Sequence, residues 1–351
     1  MNIFKLSFLL LLLFLSCNQA SELPKASPLP DSLQNKKIDK PVTPITVFRS
    51  ADSGQTWQDI SKGLPENLRK DGIRGDSIFA NDKGLFLNIG SERYHSTANA
   101  TATFWTKEIS PDKHSKIAPG KSGIFAFPYY AVNLKTTNGT SIWSPIFENL
   151  YEPRIRSVFE TAGGAIFVGI DSVFFKTDDN GKTWKQVYAG SLVGNMAESN
   201  GVLLATSNRK IIRSTDNGDN WEVVKTEVGV VWDVKPIKGG FAAITAGSES
   251  GTRSLCTSYD AGKTWQPIDA GNKVFIDSIW RTWNNRPSVK TFYTSITQIG
   301  ENFIGVHPDG IFKSTDKGKT WTLLLPSIDG KFFNLFGSGK VIYAVPSSGG
   351  C

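Results

Sequence analysis

Ser314-Thr315-Asp316-Lys317-Gly318-Lys319-Thr320-Trp321, preceded by Gly310-Ile311-Phe312-Lys313, reads as a strand, a tight polar turn and the start of a second strand. The same pattern occurs as Ser258-Tyr259-Asp260-Ala261-Gly262-Lys263-Thr264-Trp265 and Ser214-Thr215-Asp216-Asn217-Gly218-Asp219-Asn220-Trp221. It occurs again as Thr177-Asp178-Asp179-Asn180-Gly181-Lys182-Thr183-Trp184, and first as Ser50-Ala51-Asp52-Ser53-Gly54-Gln55-Thr56-Trp57. Between Trp57 and Trp184 lie two degenerate copies, ending at Trp105 and Trp143. The seven tryptophans are then spaced 48, 38, 41, 37, 44 and 56 residues apart. A period of about 44 residues with strand-turn-strand content predicts an all-β chain folded as a seven-bladed β-propeller.

One unit shows the grammar of a blade. Arg156 to Thr161 is an inner strand, Ala165 to Gly169 the second, Val173 to Lys176 the third and Thr183 to Val187 the fourth. The chain ends are complementary. Ile45 to Ser50 is a third strand with nothing before it, and Phe332 to Phe336 with Lys340 to Val345 are a first and second strand with nothing after. Together they predict a seventh blade closed by two strands from each end, which completes the terminal blade so that its half-sheets are not left as open edges that invite aggregation.

The rest of the composition limits what the protein does. The 351 residues carry 33 Gly and 17 Pro, suited to short strands and turns, and a net charge of +7 without a dense basic block. Nucleic acid, which requires a concentrated stripe of Lys and Arg, is not an expected partner. Met1 to Lys5 is a short basic segment, and Leu6 to Leu15 an apolar run of about ten residues, too short to span a bilayer of about 30 Å. It reads as an export signal. Residues 18–43 are polar and proline-bearing and read as a tether. The expected organisation is a signal over 1–16, a tether over 17–43 and the propeller over 44–351. Cys256 and Cys351 fall in blades separated by a whole blade and are expected as unpaired thiols.

Ser16-Cys17 after the apolar run resembles the bacterial lipoprotein signal, which implies lipidation of Cys17 and a bacterial cell-envelope location, anchored on the extracytoplasmic side. An ordinary export signal with an incidental Cys is the alternative. The eight-residue pattern resembles the Asp-box, or bacterial neuraminidase repeat, of sialidases, some other glycosidases, sortilin-type receptors and the photosystem II assembly-factor family. Its physics is that of a turn: the carboxylates of Asp52, Asp179, Asp216, Asp260 and Asp316 accept N–H groups within the turn, and Gly supplies a positive φ. The Trp ring is expected to cover the next repeat's side of the turn. The resemblance also implies that function resides on the opposite face of the propeller, where the second-to-third and fourth-to-first connections emerge.

On that face the Trp265–Trp321 interval holds an insertion, 270–290, with Trp280, Arg281, Trp283 and Arg286, residue types frequent at binding hot spots. It either caps its own core or forms a binding surface. Arg74, Arg156 and Trp232 stand near the starts of inner strands and complete the candidate ligand-binding set. The sialidase requirements are not met. The string Glu152-Pro153-Arg154-Ile155-Arg156 has the wrong order and lies in a middle blade, and no Tyr-Glu pair can be placed. His95, His114 and His307 are too scattered for a metal site or a triad. No catalytic residue, metal or cofactor is assigned. The expectation is a membrane-anchored module that binds an envelope protein or a glycan. The alternative is a glycoside hydrolase or lyase of sialidase-like fold with an unrecognised active site in the channel mouth; no carboxylate pair stands out, and Asp233 and Glu160 on inner strands are the positions whose change would test it.

Overall fold

The computed structural model describes residues 47–65, 77–97, 104–110, 115–121, 123–128, 131–136, 142–147, 154–190, 192–208, 210–224, 230–246, 253–268, 281–283, 286–288, 294–328 and 333–346. They form seven four-stranded antiparallel sheets and one two-stranded hairpin, with no α-helix among them. In chain order the blades span 78–109, 116–147, 155–189, 193–224, 230–267 and 295–326 (blades 1 to 6). Blade 7 is assembled from both ends: Phe333–Ser338 and Val341–Pro346 supply its first two strands, Phe48–Ser50 and Gln58–Asp59 its last two. The register that joins the ends pairs Phe48 with Ala344 and Ser50 with Ile342. First strands of successive blades touch one another all the way round, and that of blade 7 meets that of blade 1. The ring is closed, as the complementary ends required.

Burial explains why the middle strands are so apolar. In blade 3 the second strand, Ile166–Ile170, is buried at every residue, while the outer strand Lys185–Ala189 has no buried residue. The second strand of blade 5, Gly240–Ala246, is likewise buried throughout. Both faces of these strands are covered by neighbouring blades, so they read as continuous apolar runs rather than alternating ones. The core therefore lies between blades. One cluster joins Ile304, Val306 and Ile311 of blade 6 to Phe333, Ile342 and Phe48 of blade 7. Cys256 belongs to another, 2% exposed, with its sulfur 3.6 Å from Thr245 Oγ1; Cys351 lies outside the described residues.

Each intact box closes the turn between third and fourth strands. At the last copy, Ser314 Oγ donates to Asp316 Oδ1 (2.8 Å) and accepts from Gly318 N (2.7 Å). Thr320 N donates to Asp316 Oδ1 (2.9 Å) and Thr320 Oγ1 to Oδ2 (2.6 Å). The copies at Asp52 and Asp260 repeat this set; Thr177 replaces the serine at Asp179, and Asn220 Nδ2 replaces the threonine hydroxyl at Asp216. The turn needs two successive left-handed residues rather than the glycine alone: Lys317 has φ 59° and Gly318 φ 88°.

The tryptophans pack in the direction opposite to expectation. Trp184 of blade 3 lies 4.5 Å from Phe147 of blade 2, and Trp221 of blade 4 lies 5.5 Å from Phe174 of blade 3. Trp321 packs with Leu255 and Ile268 of blade 5. Each ring covers the preceding blade, not the next. Four of the indoles donate to the carbonyl of their own box glycine: Trp184 to Gly181, Trp221 to Gly218, Trp265 to Gly262 and Trp321 to Gly318. The ring is thus held by its own turn and presents its apolar side to the blade behind. Trp105, from a degenerate copy, instead donates to Ile60 O of blade 7. The basic residue ahead of a box reaches forward in turn. Lys176, its side chain 2% exposed, contacts Asp219 in the box of blade 4 at 3.1 Å, and Arg213 Nε donates to Ala261 O of blade 5 at 2.8 Å.

A second link recurs at the inner-strand ends. Glu160 Oε2 accepts Lys121 N of blade 2 (2.6 Å), Glu198 Oε2 accepts Ala162 N of blade 3 (2.7 Å), and Gln298 Oε1 accepts Lys238 N of blade 5 (2.7 Å). In each case the last part of a first strand satisfies the turn between the first two strands of the preceding blade.

Candidate functional site

An antiparallel four-strand meander places the first-to-second and third-to-fourth turns at one end of every blade and the remaining connections at the other. The boxes therefore share one face. Their acids are consumed by the turns they close. Asp179 is held down to about 2 by the Thr183 hydroxyl, the Thr177 hydroxyl and the Thr183 N–H, in that order. Asp316 and Asp216 are held at about 2 by Thr320 and by Asn220 respectively. At Asp52 and Asp260 burial, the largest single influence, pushes upward, and the hydrogen bonds from the turn outweigh it to leave both at about 2. A carboxylate with its acceptor sites engaged and so low a pKa serves neither as acid nor as base near neutral pH.

On the opposite face, three consecutive first strands are irregular at the same level. Register shifts fall between Ile155 and Ser157 in blade 3, between Val193 and Met196 in blade 4, and between Val231 and Asp233 in blade 5. The residues bypassed by the ladder are Arg156, the pair Gly194-Asn195, and Trp232. Bulges re-aim side chains out of a pleat, and here they do so on adjacent blades. Arg156 and Trp232, both picked from the sequence, are thereby brought onto one face. Arg156 Nε and Nη2 each lie 2.8 Å from Asp171 Oδ1, in the loop between the second and third strands of its own blade. Trp232 is 38% exposed, with the Arg253 guanidinium 4.5 Å above its ring. Asp233 accepts from Asn195 Nδ2 at 2.8 Å and pairs with Lys235 Nζ at 3.4 Å, which ties the bulge of blade 4 to that of blade 5.

Between those two blades lies a groove of about 340 Å³, with Leu192, Asn195, Thr206, Asn208, Val231 and Trp232 in its walls. Sequence reasoning missed Asn195, Asn208 and Arg253. A signal for the bulges was nevertheless present. Buried residues on one face of a regular strand recur at even spacings, whereas here they are three apart at Ile155 and Val158 and at Val231 and Val234.

The other sequence candidates fare differently. Trp280, Arg74 and Cys17 lie outside the described residues. Arg281, Trp283 and Arg286 fall on the short hairpin Arg281–Trp283 and Arg286–Ser288, with Trp283 opposite Arg286 and Arg281 opposite Ser288. Asp233 and Glu160 are not brought together: Asp233 is the fourth residue of Val230–Ile237, whereas Glu160 ends Ile155–Glu160 on the side of the boxes and holds the Lys121 turn. His307 is buried beside Asp309, its Nδ1 3.1 Å from Oδ2, and His95 stacks on Phe86 at 4.1 Å. Burial, the leading influence, lowers both imidazoles below their ordinary range. Among the described residues no three His, Cys, Asp or Glu side chains cluster as a metal site, and no helix is long and apolar enough to cross a membrane.

No protein-family profile and no curated protein matches the sequence. Solved structures do match in fold. "YCF48 bound to D1 peptide" is 13% identical with a TM-score of 0.52, covering 79% of this chain and 94% of its own. "YCF48 from Cyanidioschyzon merolae" is 12% identical, TM-score 0.54, over 78% and 95%. A streptogramin B lyase structure is 11% identical, TM-score 0.57, over 87% and 100%. At these identities the likeness is one of architecture, and the chain shares with these proteins the seven-bladed β-propeller fold.

Proposed function

We propose that the protein is an extracytoplasmic, lipid-anchored binding or assembly module that recognises an envelope protein or glycan with the face opposite the boxes. The observation that carries this reading is the alignment of three inner-strand bulges, which puts Arg156, Asn195 and Trp232 on one face of a rigid ring. Loops and irregularities on a rigid scaffold are where recognition is usually placed. The fold is compatible with such a role, since one structural neighbour is described with a bound peptide. The Asp-box identity of the turns, the Cys17 anchor and the envelope location belong to the same proposal. The enzymatic alternative gains nothing from Asp233 and Glu160, one tied to Asn195 and the other to the Lys121 turn.

The test is capture of partners from detergent-solubilised envelopes by the tagged full chain. Capture should fall in an Arg156→Ala, Trp232→Ala variant and in a Trp280→Ala, Trp283→Ala variant, and persist in a Lys263→Glu, Lys319→Glu variant on the box face. Loss confined to the box-face variant would overturn the assignment of the face. Radiolabelled fatty-acid incorporation, abolished by Cys17→Ser, tests the anchor.

A further inference from the structure

The groove between blades 4 and 5 has a chemistry of its own, and we infer that it takes a neutral saccharide, a single sugar ring or a pair of rings. This deepens the module reading and rests on it. None of the residues in the groove walls carries a charge. A charged ligand group seated there would lose water without gaining an ionic partner from the walls, which is costly. The lining instead combines apolar groups, from Leu192, Val231 and Trp232, with two amides and a hydroxyl, from Asn195, Asn208 and Thr206. A pyranose ring has that same combination: C–H groups on its faces and hydroxyls, each donor and acceptor, around its edge.

These groups are held in place rather than left to adapt. Arg253 lies over the Trp232 ring, its guanidinium 4.5 Å from the ring centroid, and does not itself line the groove. Asn195 is oriented by Asp233, which takes one of its amide hydrogens, and its backbone N–H donates to Thr206 Oγ1 at 3.1 Å. Gly194 leaves the room for this arrangement, because a Cβ there would come within 2.7 Å of Thr206 Oγ1. Asn208 turns the loop between the second and third strands with φ 46°, and its N–H donates to Leu192 O at 3.2 Å, fixing that loop against the start of the first strand of the same blade. At about 340 Å³ the groove lies at the small end of the ligand-site range, sized for rings rather than for an extended peptide.

The experiment titrates the detergent-solubilised full chain with maltotriose, cellotriose and chitotriose as neutral probes. Trigalacturonate, sialyllactose and a neutral apolar peptide serve as comparators, read by saturation-transfer NMR and calorimetry. At least one neutral probe should bind, with saturation strongest on ring C–H protons. Trp232→Ala should weaken it by about tenfold or more, while Trp232→Phe, which keeps an aromatic plate, should stay within about threefold. Asn208→Gly keeps the left-handed turn and removes only the amide, so its several-fold loss reports the polar groups without a folding defect. The inference is overturned if no neutral probe binds, if an acidic probe or the peptide binds more tightly, or if Trp232→Ala leaves affinity unchanged with an unaltered circular dichroism spectrum. Partner capture that depends on Arg156 but tolerates Trp232→Ala, with no saccharide bound, would sink this inference alone and leave the module reading standing.

Discussion

Gly318 of blade 6 is seated directly on Ile268 of blade 5: a methyl group at Gly318 would lie 2.5 Å from both the Cβ and the carbonyl oxygen of Ile268. The box is therefore a joint between blades as well as a turn within one. Its glycine meets two demands at once, a φ of +88° and a space closed by a neighbour's backbone.

These demands separate by mutation. Gly300 has φ +60° with nothing within 4 Å of its would-be Cβ, so Gly300→Ala carries the conformational cost alone, about 1 kcal/mol. Gly318→Ala adds the clash with Ile268, which cannot retreat without moving backbone, and should cost about 3 kcal/mol or more. Urea midpoints of the two variants check this; equal losses would mean that the joint yields without strain.

The residue before the box glycine is also left-handed, and two copies fill it poorly. Asn180 and Asn217 have φ 58° and 57°, whereas Ala261 and Lys317 hold φ 64° and 59° without the short polar side chain that eases this region. Ala261→Asn should stabilise by about 0.5 kcal/mol. The Arg213 contact to Ala261 is to the backbone carbonyl and survives the change. A rise in the thermal midpoint is the expected readout, and a fall would show that Ala261 packs in a way the turn geometry does not reveal.

The boxes were legible in the sequence because what makes them is local. A Ser or Thr, an Asp, a left-handed pair and a Thr within eight residues satisfy one another, so Ser50–Trp57 and Ser314–Trp321 look alike although they lie in different blades. The seventh blade was legible for a related reason, since Phe48–Ser50 and Val341–Pro346 were each incomplete units. The direction in which Trp184 or Trp321 packs is different. It depends on the order of blades round the ring, which no local pattern records. The candidate face was half legible. Arg156 and Trp232 stood out by residue type, but Arg253 joins Trp232 only through pairing of the second and third strands of blade 5, where Thr245 faces Ser254 and Ala246 faces Arg253.

Acid should unfold the protein through the same turns. The five box carboxyls have an ordinary value of 3.8 and stand at about 2 in the folded chain. The unfolded chain therefore binds more protons between these values. The stability these groups contribute is in place above about pH 4 and is lost as pH falls through about 2. An Asp179→Asn, Asp316→Asn variant should show a shallower acid limb in urea midpoints between about pH 4 and pH 2, since two groups no longer take up protons on unfolding. An unchanged slope would mean that other carboxyls govern the acid transition.

Glu160 offers the sharpest separation of structure from chemistry. Its carboxylate accepts the Lys121 N–H, and in blade 6 the equivalent acceptor for Lys238 N is the side-chain amide of Gln298. The link thus needs an oxygen and not a charge. Glu160→Gln should leave stability within about 0.5 kcal/mol of the parent, and Glu160→Ala, which removes the acceptor, should lose about 1 kcal/mol. Neither should change capture of a partner or binding in the groove between blades 4 and 5, because Glu160 ends its strand on the side of the boxes. An activity found on any glycan and abolished by Glu160→Gln at full stability would contradict this, since the substitution keeps an acceptor for the Lys121 N–H while removing the ionisable group.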